Sequence, residues 1–137
     1  VVTPTPTVLP HVDAVKAALE DQGLTVYIGG TPGGTWSPPD RFAVLYPDPG
    51  TAGRASLAGE RTDFRHLCQI TCVGGDPERA LWVADETRKA LAGPLAVDGR
   101  ATWLPEDQGG PPLQRDDDVT PPLWYVPVLY LIQSIPS

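Results

Sequence analysis

The stretch from Asp63 to Leu91 constrains the fold most, because it reads as a strand, a tight turn and a helix in direct succession. Phe64, His66, Cys68, Ile70 and Cys72 fall at every second position, while Arg65, Gln69 and Thr71 share the opposite face with Leu67 and Val73. That period of two predicts a half-buried strand. Gly74-Gly75 ends the run, Asp76 stands where an N-cap belongs, and Pro77 takes the first helical position, where a missing N–H costs nothing. Ala80, Leu81, Ala84, Thr87, Arg88 and Leu91 then recur at helical spacing, so a mixed apolar stripe is expected to fold back onto the sheet. Gly93-Pro94 closes the helix.

Around this unit the other elements fall into order. Residues 1–8 open with alternating Thr and Pro and predict an extended tail. Val8, Val12, Val15 and Leu19 step by four, three and four, which predicts a helix over 9–22 ended by Gly23. A short β-rich run, Leu24 to Ile28, leads into the breaker-rich loop Gly29 to Pro39 that holds Trp36. Arg41 to Tyr46 has strand composition, and Asp48 to Arg61 predicts a long exposed hairpin arm or loop carrying Arg54 and Arg61. Asp98-Gly99, between Leu95-Ala96-Val97 and Arg100 to Leu104, predicts a type I′ hairpin turn. Residues 105–122 are polar and predict a long loop, which ends beyond the acidic run Asp116-Asp117-Asp118. The closing strand, 123–133, is nearly continuously apolar or aromatic, and Pro127 within it argues for an edge or a bulge. Trp124, Val126, Val128 and Tyr130 share the face assigned to the core. One domain over residues 1–137 is expected. Its class is α+β, a mainly antiparallel sheet with two helices packed on one face and long exposed loops.

Charge and motif content narrow the chemistry. The net charge is −7, and the 10 Lys and Arg residues are scattered, which argues against a basic face for nucleic acid. Cys68 and Cys72 are the only cysteines and lie about 13 Å apart on one strand face, too far to bridge, so reduced packed thiols are expected. No run reaches the ~18 apolar residues of a membrane span and no signal peptide opens the sequence, so a soluble protein made in the cytoplasm is expected. The glycines of Gly29 to Gly34 lack the Lys and Ser/Thr of a phosphate loop, and Asp76 already supplies the negative oxygen at the second helix. His66, Cys68 and Cys72 spread over about 20 Å of one strand, which is not zinc spacing. With two histidines and no nucleophile elbow, neither a catalytic set nor a cofactor is expected, and His66 reads as a hydrogen-bonded core or interface histidine. Three consecutive carboxylates in a loop read as solvated charge.

The order of a first helix, the strand Asp63 to Val73, a helix opened by Gly75-Asp76-Pro77, and Arg115-Asp116-Asp117-Asp118 before Pro121-Pro122 and an aromatic closing strand resembles the tail terminators of long-tailed bacteriophages. These are minor, tail-completion proteins. The resemblance implies a non-enzymatic virion protein, a hexameric ring capping the head-proximal end of the tail tube. Its implied partners are further copies of itself, the tail tube protein and a head connector or neck protein, with genomic DNA passing through unbound. Assembly would take place in the host cytoplasm. On this reading Arg54, Arg61, Arg115, Asp116, Asp117, Asp118 and Trp124 lie at subunit or tube contacts. Two alternatives stand beside it: a head completion or connector ring of the neck, and, from another class, a small cytoplasmic ligand-binding domain or enzyme using the Gly-rich loops as a pocket. An adaptor outside any virus is a third.

Overall fold

Two strands of 14 residues each, β4 (Arg61–Gly74) and β8 (Leu123–Pro136), form the axis of the sheet. The computed structural model of the chain describes residues 5–34, 36–54 and 61–137. β4 and β8 run antiparallel in unbroken register from Phe64↔Ser134 to Gly74↔Trp124. Short strands tile the two flanks of this ribbon. Along β4 lie β2 (Arg41–Pro47) and β3 (Thr51–Arg54), with β1 (Val26–Ile28) pairing parallel to β2. Along β8 lie β5 (Arg100–Thr102), β6 (Glu106–Gly109) and β7 (Gln114–Asp116). Every pairing except β1 with β2 is antiparallel.

Both helices, α1 (Val8–Asp21) and α2 (Pro77–Ala90), pack on one face, so the class is α+β as the sequence predicts. Val15 and Leu19 of α1 and Val83 and Ala84 of α2 meet Cys68, Ile70, Cys72, Val128, Tyr130 and Ile132 in one core. The alternation predicted for β4 holds at every inward position from Phe64 to Cys72. On β8, Val128 and Tyr130 are core with Ile132, while Val126 and Trp124 are half-buried. Burying this face at ~25 cal/mol per Å² is the main source of cohesion.

α2 begins as its sequence dictates, with the Asp76 carboxylate accepting from the Arg79 N–H at 2.8 Å and Pro77 in the first turn. Its inward stripe is rotated from the one expected. Val83 and Glu86 are buried, whereas Leu81 and Arg88 face outward. The helix ends tie into their surroundings through polar pairs. Gln22 Nε2 donates to Glu86 at 2.7 Å, and Arg88 Nε donates to Asp107 of β6 at 2.9 Å.

Three expectations change. The segment 105–122 is not one long loop, because β6 and β7 within it each hydrogen-bond to β8. The closing strand continues to Pro136 and is internal to the sheet, not an edge. Pro127 is accommodated because the outer ladder stops there: β7 covers Leu123 to Tyr125, β6 covers Leu129 to Leu131, and Gly110 packs against the Pro127 carbonyl between them. Asp98-Gly99 does form a turn, with the Arg100 N–H donating to the Val97 carbonyl at 3.0 Å. It is not type I′, since only Gly99 has positive φ, and Leu95–Val97 is no strand; β5 pairs with β8 instead. Of the two forms expected over 48–61, the structure has the hairpin arm, as β3 pairs antiparallel with the start of β4, while residues 55–60 lie outside the described residues. So do residues 1–4 of the tail, whose Pro6 is buried.

The turn from β4 to α2 depends on a missing side chain. A Cβ on Gly74 would lie 2.5 Å from the Ala80 nitrogen and 2.7 Å from the Arg79 carbonyl carbon, both backbone atoms that cannot yield without moving the helix. Gly74→Ala is therefore expected to destabilise the protein by about 2 kcal/mol or more, read as a lowered urea midpoint. A midpoint unchanged from wild type would show that α2 does not seat as closely as described.

Candidate interaction site

At the Gly74 end of the ribbon the registers place four residues in a row across the sheet: Arg41 opposite Gly74, Gly74 opposite Trp124, and Trp124 opposite Arg115. Each arginine sits over an indole. The Arg41 guanidinium lies 4.6 Å from the Trp82 ring centre and that of Arg115 lies 5.8 Å from Trp124. Such contacts are worth about 0.5–1 kcal/mol at exposed sites and hold the planar groups flat on the surface. Arg79 bridges to Asp40 at 2.9 Å, and Arg115 to Asp117 at 2.6 Å. Asp116 accepts from the Asp118 N–H at 3.0 Å, so one of the three acidic residues is spent on closing its own turn.

Beside this row, on the face without helices, lies an open groove of about 1000 Å³. Its walls are the 31–40 loop on one side and the 116–125 segment on the other, and Gln69 and Thr71 of β4 form the floor. Trp36 anchors one wall. Tyr27, Trp36 and Phe42 pack with ring centres 5.5–5.7 Å apart and planes 81–83° from one another, a set of edge-to-face contacts that fixes the loop against β2. Phe42, Val44 and Val73 are buried beneath it, forming a second, smaller apolar cluster. Tyr125 lines the other wall and its hydroxyl donates to Gln114 at 2.7 Å.

The structure divides the residues expected at contacts into two groups. Arg115, Asp116, Asp117, Asp118 and Trp124 come together at this end. Arg54 and Arg61 face each other in register at the far end of β4, about 43 Å away along the strand, and their side chains lie outside the described residues. The seven do not make one site. Arg41, Trp82, Trp36 and Tyr125 belong to the groove end and were not singled out by the sequence as contacts. The signal for Trp36 was its place in a loop of glycines and prolines, where an aromatic has no core of its own to enter. For Arg41 and Trp82 no signal existed, since 41 residues separate them.

A buried polar cluster joins α1 to the opposite end of β8. His11 Nδ1 donates to the Thr7 carbonyl at 2.7 Å, which leaves Nε2 to accept from the Ser134 hydroxyl at 2.7 Å. Arg100 Nε in turn donates to Ser134 Oγ at 3.0 Å. This serine–histidine pair is not a nucleophile and its base in an open site, because Ser134 is fully buried. His66, 6.0 Å from His11 ring to ring, corrects an expectation: it is core, but among the described residues neither ring nitrogen has a hydrogen-bond partner. Among the described residues no group of three or more His, Cys, Asp or Glu is placed to hold a metal, and no helix is long and apolar enough to cross a membrane. Cys68 and Cys72 are free, buried, and pushed up to about 12 by desolvation, which leaves them as unreactive packed thiols.

Comparison with known proteins gives similarity of fold. No protein-family model and no curated protein matches the chain. Among solved structures, a chain from the virion of a native gene transfer agent particle superposes with a TM-score of 0.58 at 13% identity, over 92% of this chain and 97% of that one. A second solved chain, known by a protein identifier only, gives 0.53 at 20% identity over 90% and 94%. The fold is thus similar to that of a gene transfer agent virion chain over most of both lengths.

Burial lowers the pKa of both histidines, with the neighbouring His11 adding to the effect at His66 and Arg100 adding to it at His11; Thr7 and Asp48 act in the opposite direction. Both are neutral in the fold, whereas the unfolded chain protonates near pH 6.5. Their contribution is whole above that pH and is lost as pH falls toward the lowered folded values, at up to about 1.4 kcal/mol per pH unit for each histidine. Urea midpoints measured at pH 7.5 and 5.5 are expected to show this loss, and His66→Leu should reduce it by about half. Equal sensitivity in wild type and variant would place the acid-labile groups elsewhere.

Proposed function

We propose that this chain is a structural subunit of a phage-like particle and, within that class, a tail terminator. It forms a ring of six on the head-proximal end of the tail tube, stops the growth of the tube, and presents a surface to the head connector or neck protein. The observation that carries the reading is the match of the whole domain, over 92% of this chain and 97% of the other, to a chain of a gene transfer agent virion. That match is of fold, and fold alone does not fix function. The order of sequence features and the surface add support: residues of the Arg115 to Asp118 run gather with Trp124, Arg41 and Trp82 at one end, a composition of aromatics and arginine typical of protein interfaces. A net charge of −7 suits a ring through which DNA passes without being bound. In this role the protein resides in the virion after assembly in the host cytoplasm, performs no catalysis, and needs no cofactor.

Imaging the source particle by electron cryo-microscopy tests the reading. A six-fold ring of this chain between tube and connector is the expected result. Density against the portal would make it a connector, and its absence from the particle would remove the virion reading altogether. Charge reversal at Asp117 and Asp118 is expected to lower the yield of joined particles about tenfold, as one buried ion pair lost per interface would do. Wild-type yield from that variant would take the acidic run out of the contact.

A further inference from the structure

The two ends of β8 carry opposite shapes. At the Tyr125 end lies the aromatic groove of about 1000 Å³. At the other end, where the Trp103 N–H donates to the Gln133 carbonyl at 3.1 Å, the connection from β5 to β6 turns two adjacent apolar side chains outward: Trp103 is 53% exposed and Leu104 60%. Leu81–Trp82, the same two residue types, is less exposed, and its indole is covered by the Arg41 guanidinium. An indole and an isobutyl group held in water by a short connection between two paired strands form a knob that has no role within its own subunit.

From these observations we infer that Trp103 and Leu104 of one copy insert into the groove of the next, between Trp36, Tyr46 and Tyr125. The occupant is a second copy of this chain for three reasons. The groove is open and presents Trp36, Tyr46, Leu123 and Tyr125, and on its floor the Gln69 amide nitrogen donates to the Thr71 hydroxyl at 3.1 Å, which turns the Gln69 side-chain oxygen to accept from an indole N–H, the one polar group that Trp103 carries. Along β8 the groove spans the positions from Tyr125 to Leu129, the register partner of Gln69, and the knob is anchored at Gln133, about 13–27 Å further along, so the knob of a subunit lies outside its own groove. The charges also complement one another. Glu106, two residues beyond the knob, is exposed and makes no ion pair among the described residues, while Arg41 stands exposed at the groove end, its guanidinium lying over Trp82 and 3.7 Å from Asp40.

A knob at one end and a groove at the other give a heterologous, head-to-tail contact, which generates a ring when the rotation between copies closes. The inference deepens the ring reading by naming the subunit contact it requires. Its test does not depend on a tail tube. Two variants are made, each blind at one end: Trp103→Glu, with the groove intact, and Thr71→Arg, with the knob intact. Both are examined by sedimentation velocity at about 100 μM, where a contact of micromolar Kd is nearly saturated. The wild type is expected to form a species larger than a dimer, and each variant alone to remain monomeric. A 1:1 mixture of the two should recover one contact per pair and stop at a heterodimer.

Leu104→Glu and Gln69→Arg, on the same knob and the same floor, repeat the experiment if either first variant loses its native circular dichroism. Assembly of either blind variant to the wild-type size, a mixture that stays monomeric, or a wild type that stays monomeric would each overturn the inference. Head-to-tail assembly by a protein that neither caps tubes nor occurs in a particle would leave the contact standing and remove the terminator reading alone.

Discussion

The rest of the structure hangs on the antiparallel ladder between β4 and β8. Its register is fixed from Phe64↔Ser134 to Gly74↔Trp124, and every other strand except β1 pairs with one of these two. A slip by one residue would turn Cys68, Ile70 and Cys72 outward and bring Gln69 and Thr71 under the helices, so the helix-side core and the register specify each other. The ladder also sets where things can happen. Because it runs for 11 residue pairs, features at its two ends are separated by about 34 Å.

How much of this was legible in the sequence follows from how local each cause is. The strand, turn and helix from Asp63 to Leu91 were readable because alternation, cap and helix-opening proline all act within a few residues of the chain. The pairing of β6 and β7 with β8 was not. Glu106–Gly109 and Gln114–Asp116 are too short and too polar to show a period, and they are strands only because β8 offers them an edge. Pro127 misled for a related reason. Proline excludes a continuous ladder on its N–H side, and the outer flank of β8 is discontinuous at that residue, a possibility that a single strand's sequence does not display. Asp98-Gly99 has hairpin chemistry, yet the strand that follows it finds β8 a better partner than Leu95–Val97, which stays tied to β5 by one side-chain bond, Thr102 Oγ1 to the Leu95 carbonyl at 2.8 Å.

The candidate site was legible in part, and the division is physical. Arg115 to Asp118 and Trp124 are close in sequence and meet in space, as a polar loop entering a strand must. Arg54 and Arg61 share only the property of lying in a loop, and the sheet carries them to the far end. The histidines show the limit most clearly. His66 alternates with apolar neighbours and was rightly core, but sequence cannot say whether its nitrogens find partners. Ser134, which bonds His11, is 123 residues away along the chain, and nothing of the kind reaches His66.

The two faces of the sheet differ in how they are covered. One face is closed by α1 and α2; the other exposes Tyr46 and Leu67 and leaves Tyr125, Leu129 and Leu131 half-buried around the aromatic groove. Apolar surface held in water on a single-layered sheet favours any arrangement that covers it. A two-fold pairing of open faces would cover it and end there, at a dimer. A contact between unlike ends leaves each assembly one free knob and one free groove until a ring closes. The polarity of β8, with groove and knob at opposite ends, distinguishes the second arrangement from the first.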